Sequence, residues 1–74
     1  MFNTVITNAQ RLYLFAVMHA EDVATATNAD EQRVAYSGLG NCVLDLQEML
    51  QVDKNQETER YLKEATAFLN ALYR

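Results

Sequence analysis

The side chains best suited to chemistry in this chain are few. His19, Glu21 and Asp22, in the stretch HAED, place three metal-ligating groups within four positions. On a helix, at about 100° per residue, His19 and Glu21 point about 200° apart and cannot share an ion. His19 and Asp22 are three apart and can. Two ligands do not make a site, however, and the Glu-x-x-His pattern with which helical bundles hold paired metals is missing. Cys42 is the only cysteine and His19 the only histidine. A thiolate–imidazole pair would need both to meet in the folded chain. On a helix Cys42 falls among leucines and valines, where a thiol acts as a small hydrophobe. Residues 37–41, SGLGN, carry two glycines but neither the preceding strand nor the lysine of a phosphate loop. No catalytic residue, metal site or cofactor is therefore assigned, and the chain is read as non-enzymatic.

Charge narrows the partners. Ten acidic and six basic side chains give a formal net charge of −4. A helix-turn-helix reading of 30–50 would make NCVLDLQEML the recognition helix. That segment has Asp45 and Glu48 and no Lys or Arg, so phosphates would repel it. Direct nucleic-acid binding is not expected. The excess of acid is mild and well mixed, and ordinary solubility accounts for it more simply than mimicry of a nucleic acid.

Such groups can only be positioned by helices. Half the residues are apolar, there is no proline, and only two glycines occur. The first helix is expected over about 3–25, where Phe2, Ile6, Ala9, Tyr13, Ala16, Ala20 and Val23 follow a 3-4 spacing and form one stripe. Val5, Leu12 and Ala24 widen it. TATNADEQ ends this helix, and Asn28 followed by Glu31 resembles a capping box. The second is expected over about 29–51, with Ala35, Leu39, Cys42, Leu46 and Met49 in phase. Its stripe continues across Gly38 and Gly40, which favours one helix there despite a cost of about 2 kcal/mol for two mid-helix glycines. The glycines fall on the edges of the stripe, where a neighbouring helix needs room. QVDKN is the second connection, with Asp53 or Asn55 as cap. The third helix is expected over about 56–73, with Tyr61, Leu62, Ala65, Phe68, Leu69 and Leu72 on one face. Glu59–Lys63 and Arg60–Glu64 are possible ion pairs on the other. The fold class is all-α: a small antiparallel bundle of three helices forming a single domain over 1–74.

Seven apolar residues in a row, Leu12 to Met18, exceed what one buried stripe requires. The stripe takes Leu12, Tyr13 and Ala16. Leu14, Phe15 and Met18 point the opposite way. Burying each is worth about 1.5–3 kcal/mol, against an expected stability of about 4–11 kcal/mol for a chain of this length. Val34 and Leu44 also lie off the stripe of the second helix. Two arrangements use these residues. The first helix can be a central one, flanked on both sides within a monomer. Otherwise its outer face, with Val34 and Leu44, is an interaction interface. The second is preferred, because a chain this short buries only about 60% of its unfolded surface and usually needs a staple or a partner. A lone cysteine excludes an internal disulfide.

The sequence thus reads as a small acidic interaction module, an adaptor, regulator or inhibitor. It is expected to work as a homo-oligomer, a dimer first, with a foreign protein as the other candidate partner. The alternative is a small-molecule binder with its site between helices or at a subunit interface. No basic residue precedes Arg11, and the apolar run is far short of the ~20 residues that span a bilayer. With a single thiol, the expected setting is cytoplasmic, without membrane contact.

Overall fold

The structure, a computed structural model, describes residues 7–72. It consists of three helices, α1 (Asn8–Thr25), α2 (Ala29–Val52) and α3 (Gln56–Leu72), each joined to the next by three residues. Phe2, Val5 and Ile6 of the expected first stripe, and Tyr73 and Arg74 at the other end, lie outside the described residues. The first helix begins later than the spacing suggested. Thr7 is extended, and its hydroxyl accepts from the Gln10 N–H at 3.1 Å, which fixes the start at Asn8.

The other caps explain the remaining boundaries. Asn28 Oδ1 accepts from the Glu31 N–H at 2.8 Å. The Glu31 carboxylate reaches back to the N–H and hydroxyl of Thr27, at 3.3 and 3.2 Å. This is a capping box shifted by one residue, since the returning acid serves the residue before the cap. Of the two candidates for the third cap, Asn55 does the work: its Oδ1 accepts from the Glu57 N–H at 2.8 Å. Asp53 instead closes the end of α2, its N–H donating to the Met49 carbonyl at 2.9 Å.

The direction of packing follows from which residues meet. Tyr13 stacks on Tyr61, with ring centroids 4.7 Å apart, and lies 6.3 Å from Phe68. The Thr7 hydroxyl reaches Glu57 at 3.5 Å. Low numbers of α1 meet low numbers of α3, so these two run the same way. Leu12 shares a groove with Met49, and His19 lies against Gly38, so α2 runs opposite to both. The bundle is up-down-up. Its centre is Ala9, Ala16, Leu39, Cys42, Val43, Leu46, Tyr61 and Ala65. The two large side chains with no exposure are Leu39 and Leu46. Alanines on α1 and α3 let α2 come close and bring these two leucines into the middle. The Cα trace is only 15 Å deep, the depth of two helix backbones at an interaxial distance of about 10 Å. No helix is enclosed on all sides.

The two glycines of α2 do not share a role. A Cβ built at Gly38 would stand 2.6–2.8 Å from the His19 ring, whereas one at Gly40 meets nothing within 4 Å. The expectation that both make room for a neighbour holds for Gly38 alone. Gly40→Ala should therefore raise stability by about 0.5–1 kcal/mol, the ordinary helix preference of alanine over glycine. Gly38→Ala should give less or reverse sign, because the imidazole must leave. Urea unfolding of the two variants checks this; equal gains would show that the His19 contact is immaterial.

Of the two ion pairs expected on α3, Lys63–Glu59 forms at 3.4 Å. The Arg60 guanidinium instead lies over the Tyr61 ring, 5.5 Å from its centroid. A cation there covers the edge of a buried ring as well as holding charge.

Candidate interaction interface

The outer side of α1 carries the most concentrated exposed apolar surface. Ala9, Ala16 and Val23, seven apart, are buried and define its inner side. Leu14, Phe15 and Met18 point away from that line and are 46%, 45% and 56% exposed. The arrangement of a central helix flanked on both sides is not the one the chain adopts. Helices α2 and α3 both lie against the inner half of α1, and the outer half stays open.

Val34 and Leu44 are also exposed, yet the five predicted residues do not make one patch. Val34 faces α1, in a hollow it shares with His19, Asp22 and Thr25. Leu44 lies about 120° round α2 from Gly38, the residue against His19, and so sits on the flank turned from α1. The periodicity placed both correctly off the core stripe. It could not say on which side of α2 the first helix would pack.

One residue escaped the sequence reading. Val52 is 90% exposed. It stands eighteen residues after Val34, five helical turns at about 3.6 residues per turn, and therefore on the same side of α2. That spacing was the available signal. Its position at the very end of the helix hid it. Val52 completes a groove of about 470 Å³ between α1 and α2, with Leu12 and Met49 as the other apolar walls. Asp45, Glu48 and Asp53 stand around it.

A second groove, of about 300 Å³, lies between the C-terminal halves of α1 and α3. Its walls are Val17, Ala20, Ala24, Phe68, Ala71 and Leu72, with Glu21 at the lip. Those walls offer no hydroxyl, amide or cation to orient a small molecule, and specific ligand sites need a few such groups.

The candidate chemical groups are separated. The His19 ring lies against Gly38, and the Glu31 carboxylate, which lines the same hollow, is committed to Thr27. Among the described residues, no group of three or more His, Cys, Asp or Glu side chains is placed to hold a metal ion. Cys42 is buried. Burial, and secondarily the charge of Asp45, push its thiol up from the ordinary range, which keeps it protonated and a weak nucleophile near neutral pH. The Tyr13 hydroxyl is likewise raised, by burial first and then by the neighbouring Glu64 carboxylate. Its ring is a packing element between α1 and α3. No described helix is long and apolar enough to cross a membrane.

Fold and surface together define a small all-α protein, an up-down-up three-helix bundle with one open helix face. No protein-family model, curated protein or solved structure matches the chain.

Proposed function

We propose that the chain is a non-enzymatic protein-interaction module that works as a homo-oligomer, a dimer first, through the outer face of α1. What supports this reading is one observation: Leu14, Phe15 and Met18 lie together in water, opposite the core, on a chain with little core to spare. Scattered exposed apolar residues are ordinary; adjacent large ones on one helix face are the natural candidate for an interaction site. An interaction face of this kind fits a role as adaptor, regulator or inhibitor of another protein. Such a protein would act in the cytoplasm.

The test is the native mass of the purified chain over a range of concentrations, by sedimentation. A dimer that dissociates on dilution is the expected result. A particle that stays at the mass of one chain up to millimolar concentration overturns the homo-oligomer.

A further inference from the structure

The groove between α1 and α2 and the outer face of α1 are complementary, and they adjoin. Arg11, Leu14, Phe15 and Met18 stand at i, i+3, i+4 and i+7, so they form one ridge with its cation at the N-terminal end. Arg11 has no acidic partner within ion-pair distance among the described residues, whose ion pairs are Arg33–Asp30 and Lys63–Glu59. The groove has the reverse character. Leu12, Met49 and Val52 make it apolar, and Asp45, Glu48 and Asp53 surround it with negative charge. Those three acids are unpaired too.

Resting on the homo-oligomer reading above, we infer that the groove is the docking site for the α1 ridge of a second copy of this chain. Arg11 of each copy then faces Asp45 and Glu48 of the other. Leu12, a wall of the groove, follows Arg11 in the chain and lies about 100° round α1 from it, so ridge and groove are adjacent sides of one helix. A two-fold axis passing beside Leu12 therefore seats each ridge in the other's groove at once, which closes the assembly at two. Apolar contact supplies the affinity in this pairing. The arginine between carboxylates fixes register and excludes the like-charged alternatives. Neither surface alone selects this partner. Their adjacency and opposite charge do.

Charge exchange tests it. Arg11→Glu in one chain, and Asp45→Lys with Glu48→Lys in another, change exposed side chains, so circular dichroism should show both variants helical. Each alone should self-associate at least about tenfold more weakly than the native chain, since both seams of its dimer then oppose like charges. Mixed in equal amounts they should form a one-to-one heterodimer, because both seams are then complementary. Native mass spectrometry distinguishes the species by their differing masses. Two outcomes overturn the inference and leave the homo-oligomer standing: variants that self-associate as tightly as the native chain, or variants that do not pair with each other. A native chain that never dimerises overturns both readings.

Discussion

With Leu14 and Met18 changed to Gln and Phe15 to Glu, the chain is expected to run as a monomer that keeps its helices. The three side chains are already about half covered by their own helix and neighbours. What remains to bury is about half of 1.5–3 kcal/mol each, so about 2–4.5 kcal/mol per subunit, and twice that across a two-fold interface. Even a loss of about 4 kcal/mol weakens association on the order of a thousandfold. A carboxylate at position 15 would also have to be stripped of water in the centre of the seam. Gln and Glu are adequate helix formers, and the changed positions face away from Leu39 and Leu46. Sedimentation and helicity of the triple variant separate the outcomes. A helical monomer supports the assigned face. An oligomer that persists with unchanged helicity places the seam elsewhere. A chain that loses its helices shows that these residues serve the fold.

Leu39→Ala is expected to act in the opposite way, on the fold itself. Leu39 has no exposure and lies where α1 and α3 meet α2. Truncating a fully buried leucine costs about 2–5 kcal/mol, depending on how far the surroundings close the cavity. The whole stability expected at this length is only about 4–11 kcal/mol. The variant should therefore lose a large share of its stability, with the urea midpoint moved strongly down. If the chain is a dimer, raising its concentration should recover part of the loss by mass action. Leu46→Ala should behave alike. A loss below 1 kcal/mol at both positions would mean that the bundle centre lies elsewhere.

Much of this was legible in the residues. The heptad-like spacing of Ala9, Ala16 and Val23 gave the inner face of α1, and from it the outer face, because a helix allows only one geometry for that pattern. The unbroken phase from Ala35 to Met49 carried α2 across its glycines. Other features depend on which helices meet, and periodicity within one helix has no access to that. Val34 and Leu44 look equivalent in the sequence, and packing against α1 sets them on different flanks. Gly38 and Gly40 differ only because His19 comes to one of them. The groove of Leu12, Met49 and Val52 joins residues about forty positions apart, and of the carboxylates around it Asp45 and Glu48 come from α2 and Asp53 from the turn that follows. Arg60 lies over the Tyr61 ring, while the Glu64 carboxylate neighbours the Tyr13 hydroxyl of α1, a contact between helices that the i,i+4 rule for isolated helices does not consider.

The three caps have a kinetic consequence. Helix initiation is the unfavourable step in forming a helix, since several residues must be fixed before the first bond is made. Here each start is closed by a side chain two or three positions from the backbone N–H it serves: Thr7 to Gln10, Asn28 to Glu31, and Asn55 to Glu57. The connections are three residues long, so the search for the next helix is short. Chains dominated by such local contacts reach their native state on a timescale on the order of microseconds to milliseconds. A newly made subunit would then be folded long before it meets another at low abundance. If the chain assembles as proposed, the population of assembled particles is governed by how many copies are present, and it responds to changes in their number without a lag from refolding.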